Sequence, residues 1–225
     1  MAQGFFVTGT DTGVGKTLVA CALLQGLSAA GKSTVGMKPV AAGRERDAWE
    51  DVEALARMST VRAPRAFVNP YAFDPPIAPH IAAELAGVEI DTETVATAYA
   101  RLAGIADIVI VEGAGGFMIP LNRRETGADL ARMLQLPVIL VVGMRLGCLN
   151  HALLTRRAIS DYRLVCAGWV ANCILPAMQQ LERNILALED RLDCPRLGTI
   201  PHRAGIAVRD ATPFLDLKPL VERHG

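Results

Sequence analysis

Short, almost wholly apolar runs alternate along the chain with stretches whose apolar residues recur at helical spacing. Phe5–Thr8 predicts a strand. Lys16–Ala30 follows, with Leu18, Val19, Ala22, Leu23, Gly26 and Leu27 on one period and Gly31 placed to end the helix. Val35–Val40 predicts a second strand and Asp51–Ser59 a helix. Val61–Pro79 holds Pro64, Pro70, Pro75, Pro76 and Pro79 and predicts a loop. Helices are expected at Ile81–Ala86, Thr92–Gly104, Thr126–Leu134, Leu149–Ser160 and Met178–Leu192. Ile105–Glu112 and Pro137–Gly143 are continuous apolar runs, the pattern of strands covered on both faces. Leu164–Val170 and Leu197–Ile200 complete the predicted strands.

This rhythm argues for an α/β fold, a mainly parallel sheet with helices on both faces and right-handed crossovers. With no internal repeat, low-complexity segment or linker, residues 1–225 read as a single domain. Ligands in such sheets bind beyond the carboxyl ends of the strands. Four polar or Gly-rich segments begin where predicted strands end: Gly9–Thr17, Lys38–Gly43, Glu112–Gly116 and Gly143–Asn150.

Composition narrows the function classes. The 225 residues are 51% hydrophobic, enough for a large core and against disorder. Lys plus Arg and Asp plus Glu are 23 each, so the net charge is zero. That argues against a nucleic-acid partner, and it leaves little repulsion between copies of the chain. No apolar run approaches the ~18 residues of a membrane span. The opening MAQGFFVTGT lacks the basic region of a signal peptide. Cys21, Cys148, Cys166, Cys173 and Cys194 are odd in number and form no CxxC pair. They read as reduced, mostly buried thiols of a cytoplasmic protein, with no zinc site expected.

The strongest chemical signal is Gly9-Thr-Asp-Thr-Gly-Val-Gly-Lys16-Thr17, between a strand and a helix. Glycines let backbone N–H groups converge on phosphate oxygens, and the helix N-terminus adds its dipole. Lys16 can reach the β- and γ-phosphates, and the Thr17 hydroxyl can ligate Mg²⁺. Five residues, one more than the common four, separate Gly9 from Gly15, and Thr10 stands where a glycine is usual. Glu112, at the tip of IVIVE, can help hold the metal or its water shell; the plainer alternative is a carboxylate capping the next turn. Lys38, inside an otherwise apolar strand, needs a counter-charge or a site, unless it snorkels from an edge strand. Asp51 is either a second metal carboxylate or an acid favoured by its helix N-terminus. Gly143–His151 offers free N–H groups for a carboxylate or phosphate, or is an ordinary turn before a helix. Asn172 and Pro201–Arg203 follow strands and could face a nucleotide base.

Taken together, FFVTGTDTGVGKT, KPVAAG, VNPYAF, PPIAPHIAAELAG, IVEGAGG, LPVILVVGMRLGCLNHALLT and AGWVAN resemble the dethiobiotin synthetase family, ATP-dependent ligases of the P-loop NTPase superfamily. The stretches run in family order to about Asn172, and LGTIPH resembles a late family strand. The longer phosphate loop is itself a family trait. The resemblance implies that Thr12, Gly13, Val14, Gly15, Lys16 and Thr17 cradle ATP. Glu112, Gly113, Ala114, Gly115, Asp51, Asn172, Cys173, Pro201, His202 and Arg203 would complete the nucleotide site. Thr17, Asp51 and Glu112 would hold Mg²⁺. Lys38, Lys16 and Thr12 would be catalytic, with Lys38 on the carbamate and the γ-phosphate. Lys38, Ala42, Gly147, Cys148, Leu149 and Asn150 would bind substrate, the last four accepting the diamine's carboxylate across a homodimer interface. Ala42 replaces a hydroxyl residue common in the family, which leaves position 42 only a backbone role.

The implied reaction is carboxylation and ring closure of 7,8-diaminononanoate with CO2 and ATP. Two other classes share parts of the pattern. A septum- or partition-type switch ATPase would carry a lysine where Asp11 stands, and an amphipathic C-terminal membrane helix. An amidotransferase-type synthetase would need a glutaminase domain, for which 225 residues leave no room.

Overall fold

The computed structural model describes residues 3–45 and 47–221; Arg46, in the polar stretch before Asp51, lies outside them, as do the last four residues of the C-terminal segment. In chain order the elements are β1 (Gln3–Gly9), α1 (Lys16–Ala29), β2 (Thr34–Met37), β3 (Val40–Ala42), α2 (Glu50–Met58), α3 (Arg65–Val68), β4 (Tyr71–Phe73), α4 (Pro79–Leu85), α5 (Thr92–Ala103), β5 (Ile108–Gly116), α6 (Gly127–Met133), β6 (Val138–Gly143), α7 (Cys148–Asp161), β7 (Cys166–Asn172), α8 (Leu181–Leu192), β8 (Arg196–Ile200), α9 (Val208–Ala211) and α10 (Lys218–Val221). A 3₁₀ turn, Thr212–Phe214, joins the last two helices.

Six strands form one sheet in the order β2-β5-β1-β6-β7-β8, and every described ladder in it is parallel. Period-two alternation divides the strand residues between the two faces. Phe5, Val7, Ile108, Ile110, Ile139 and Val141 pack with Val19, Leu23 and Leu27 of α1. Phe6, Val109 and Val111 pack on the other side with Val95 and Leu102 of α5 and Leu130 of α6. Leu140, Val142 and Trp169 pack with Ala152 of α7 and Leu188 of α8. Both faces are thus covered, as the unbroken apolar runs require.

The structure corrects several element boundaries. Val35–Val40 is not one strand: β2 stops at Met37, and β3 leaves to pair with β4 in a separate two-stranded parallel sheet. Pro39 has no N–H to continue the ladder, so the break falls there. The Pro-rich loop contains α3 and β4. Residues 105–107 precede β5, which instead runs on to Gly116.

A side-chain cap fixes the start of α5. Asp91 accepts hydrogen bonds from Glu93 N and Thr94 N, both at 3.1 Å, at the head of α5. The Thr94 hydroxyl donates to the same carboxylate and holds its pKa below 3.8. Asp91→Ala is expected to cost about 1 kcal/mol in urea unfolding. The cap's charge-dependent part is present above pH 3.8 and fades as pH falls through the lower folded value. Equal acid sensitivity of mutant and wild type would contradict this.

Candidate active site

β1 lies between β5 and β6, so the loop after β1 opens over the centre of the sheet's carboxyl edge. In the β1–β5 ladder Val7 pairs with Glu112 and Gly9 with Gly116. In the β2–β5 ladder Met37 pairs with Val111. A parallel register then brings Lys38 level with Glu112. Residues far apart in sequence are thus forced together by strand pairing alone.

Lys38 Nζ is 2.6 Å from Glu112 Oε1 and 2.8 Å from Asp51 Oδ2. The Thr17 hydroxyl donates to the same Glu112 Oε1 at 2.9 Å. Lys38 is 4% exposed and Glu112 1%. β2 is an edge strand, yet Lys38 does not snorkel to water; it turns inward to the carboxylates. Burial opposes its charge, but Glu112 and Asp51 outweigh burial and hold its pKa above the ordinary lysine value. Asp51 loses solvation too, and Lys38 nevertheless keeps its carboxyl below the usual range. Lys16 has less compensation. Burial, then the nearby Lys38 charge, push it down to about 8. Its ammonium donates to the Asp11 carbonyl at 2.9 Å.

Glu112 Oε2 is buried and accepts no hydrogen bond. An orphaned carboxylate oxygen beside a hydroxyl and a second carboxylate is a donor set for a hard cation. Among the described residues no three His, Cys, Asp or Glu side chains converge on a metal position. Glu112, Asp51 and the Thr17 hydroxyl are the number and kind of protein donors that suit Mg²⁺, which takes one or two carboxylates and completes its shell with phosphate and water.

The phosphate loop is held from several sides. Asn172, at the tip of β7, donates to Val14 O at 2.7 Å. Gly15 caps α1 with φ +89°, and a Cβ there would collide with the Asn172 amide. Gly15→Ala is therefore expected to abolish ADP binding in calorimetry and to cost about 2 kcal/mol of stability. Unchanged affinity would show that the loop tolerates another path. Thr12 and Gly13 are exposed on the outer rim.

The other residues singled out in the sequence surround this centre at different distances. Gly113 O lies 3.5 Å from Lys38 Nζ. Ala114 and Gly115 continue β5 past Glu112 and are half-buried. Cys173 N donates to Ile200 O, which ties the end of β7 to the segment before Pro201, His202 and Arg203. Ala42 ends β3 in the small sheet, not the main one. Gly147 caps α7 with φ +93° and no side-chain cap; Cys148 N donates to Arg145 O at 3.0 Å, and the N–H groups of Leu149 and Asn150 follow in the first turn.

Asn69, Arg145 and Trp49 support the site without an assigned role in the sequence. Asn69 is buried and donates to Lys38 O at 2.7 Å and Tyr71 O at 2.8 Å, bracing the backbone under Lys38. Its sequence signal was its place in VNPYAF, a stretch shared with the family, which gave it no role of its own. The Asp11 carboxylate meets Arg145 at 2.5 Å, which links the phosphate loop to the turn before α7. Trp49 lies under the guanidinium groups of Arg44 and Arg65, at 5.2 and 5.6 Å, and donates to Phe73 O; it anchors the entry to α2 and so Asp51.

A family model described as an AAA domain matches residues 3–208. The ATP-dependent dethiobiotin synthetase BioD of Nitrosospira multiformis is 57% identical over 217 residues, 96% of each chain. That of Aromatoleum aromaticum is 53% identical over 207 residues, 90% of this chain and 92% of its own. Among solved structures, the septum site-determining protein MinD of Pyrococcus horikoshii, complexed with Mg-ADP, aligns with a TM-score of 0.59 at 14% identity, covering 99% of this chain and 90% of its own. A ParA-family ATPase of Chlorobium tepidum gives 0.57 at 13% identity, covering 100% and 95%. These two likenesses show a shared P-loop NTPase fold and nothing finer, whereas the full-length identities are specific: the chain belongs to the ATP-dependent dethiobiotin synthetase family.

Proposed function

We propose that this chain is a ligase that carboxylates 7,8-diaminononanoate with CO2 and closes the ureido ring, converting ATP to ADP and phosphate. The observation that carries the reading is the buried Lys38 ammonium between two carboxylates at the strand tips, beside a phosphate loop. Such an ammonium suits a reaction that must neutralise a carbamate anion and a transferring phosphoryl group together.

One amine of the diamine adds to CO2 and gives up a proton, forming a carbamate. A carbamate oxygen displaces ADP from the γ-phosphorus, giving a carbamic–phosphoric anhydride. The second amine attacks the carbonyl carbon, and phosphate leaves as the five-membered urea closes. The chain supplies position and charge rather than a nucleophile. Lys38 neutralises carbamate and γ-phosphate oxygens. Lys16 exchanges the Asp11 carbonyl for a phosphate oxygen. Thr12 and the amides of Gly13–Thr17 cradle the phosphates, and Gly113–Gly115 line the same edge. Asn172, Cys173 and Pro201–Arg203 flank the nucleotide base. Thr17, Asp51 and Glu112 would hold Mg²⁺, which when bound offsets charge on the β- and γ-phosphates. The carbamate oxygen is already anionic, so no residue is assigned as its general base.

Gly147, Cys148, Leu149 and Asn150 are proposed to take the diamine's carboxylate for a second copy of the chain, with a backbone contact at Ala42. Leu146 is 97% exposed beside that helix start, and Leu154 of α7 is exposed too, which supports an apolar homodimer face. No described helix is long and apolar enough to cross a membrane. A cytoplasmic location remains part of the proposal, drawn from the reduced thiols and the metabolic substrate.

The test uses carbon-13 bicarbonate with ATP, Mg²⁺ and 7,8-diaminononanoate. The expected result is label in the ureido carbonyl of the product. ATP consumption with unlabelled organic product would overturn the assignment. Sedimentation should give a dimer at micromolar concentration, and monomers alone would contradict the shared diamine site.

A further inference from the structure

Two thiols outside the active site lie closer than separate sulfurs normally rest. Cys166 Sγ and Cys194 Sγ are 2.9 Å apart. The proximity is built into the backbone. β7 and β8 are parallel neighbours with Trp169 opposite Arg196, and Trp169 N donates to Pro195 O at 2.9 Å. Two residues back along both strands, Cys194 falls level with Ala167 and beside Cys166. Both cysteines stand at the amino ends of the strands. Asn172 and Pro201, in the nucleotide site, stand at the opposite ends.

The two thiols differ in access. Cys166 is buried and Cys194 is half-exposed. Arg156 of α7 approaches the same turn, donating to Leu192 O at 2.6 Å, with Asp193 3.8 Å from its guanidinium. Its charge pulls on the Cys166 thiol, but less strongly than the neighbouring sulfur and burial oppose it. The hydrogen bond with Cys194, together with burial, pushes the Cys166 thiol up from the ordinary cysteine value; Cys194 is the more exposed of the two and is the sulfur that an oxidant reaches first.

We propose that Cys166 and Cys194 form an oxidation site at which hydrogen peroxide makes an intramolecular disulfide. The Cys194 sulfur attacks one peroxide oxygen, the O–O bond breaks, and sulfenic acid and water form. Cys166 sulfur then attacks the Cys194 sulfur; the S–O bond breaks, and the thiol proton leaves with the hydroxyl as a second water. Overall two thiols and one peroxide give one disulfide and two waters. Two sulfurs are oxidised and two peroxide oxygens reduced. The cross-link ties the start of edge strand β8 to its neighbour β7 and restrains the edge of the sheet that lacks a further strand.

The full-length protein is treated with hydrogen peroxide, alkylated and digested without reductant. The expected result is a peptide pair joined through Cys166 and Cys194 and a fall from five titratable thiols to three in denaturant. The melting temperature should rise by about 10 °C and return with dithiothreitol. Cys194→Ser should keep its four remaining thiols and show no rise. Five thiols surviving treatment would overturn the proposal. So would a disulfide between two chains, one using another cysteine, or Cys194 recovered as sulfinic acid with Cys166 reduced.

Discussion

Lys38→Ala is expected to lower dethiobiotin formation by about a thousandfold and to destabilise the fold by about 3 kcal/mol. The first effect follows from the geometry. Lys38 is the cation nearest the point where Glu112, Asp51 and Thr17 converge. Without it, a carbamate formed there faces two carboxylates with no adjacent ammonium. The second effect has a separate cause: Glu112 is buried, and one of its oxygens is already unpartnered. Removing the ammonium leaves a buried carboxylate uncompensated. The two effects separate in Lys38→Ala/Glu112→Gln, which should regain much of the stability and none of the activity. Steady-state turnover and urea unfolding check both. Turnover within tenfold of wild type at saturating substrate would remove Lys38 from the reacting centre.

Gly198→Ala should be the most disruptive small change away from the site. Gly198 lies in β8, paired with Val170, and bridges to Leu215 of the C-terminal segment. A Cβ there would overlap the Phe214 carbonyl oxygen and lie 3.0 Å from its carbonyl carbon. Both are backbone atoms and cannot rotate aside. Either β8 shifts or the segment detaches, breaking the bond from Asp216 N to Leu197 O. The expected cost is about 3 kcal/mol, or about 10 °C in melting temperature. A shift under about 2 °C would show that the C-terminal segment does not brace the sheet.

That segment also marks where the sequence stopped being readable. The buried strands announced themselves because both faces of the sheet are covered, so β6 is apolar throughout and β5 is apolar up to Glu112. The phosphate loop was legible because its glycines and Lys16-Thr17 perform one local task. Lys38 and Glu112 stood out as charges at the ends of apolar runs. Their pairing did not, since it depends on the register of β2 on β5. β3 and β4 have three residues each, too few for a period, and they pair across an intervening helix pair. Asn69 and Arg145 act through single bonds to distant backbone or side chain, and no local pattern encodes those bonds. The C-terminal turns follow the edge of β8 rather than any periodicity of their own.

The fold alone, shared with a septum site-determining protein and a ParA-family ATPase, does not choose between ligation and ATP turnover without it. The measurement that separates them most directly is ADP release followed with and without 7,8-diaminononanoate, in Mg²⁺ and bicarbonate, alongside the cyclic urea. A ligase of the proposed kind releases one ADP per ring closed and almost none without diamine. ADP release at an equal rate without diamine, or uncoupled from the urea, would contradict the account.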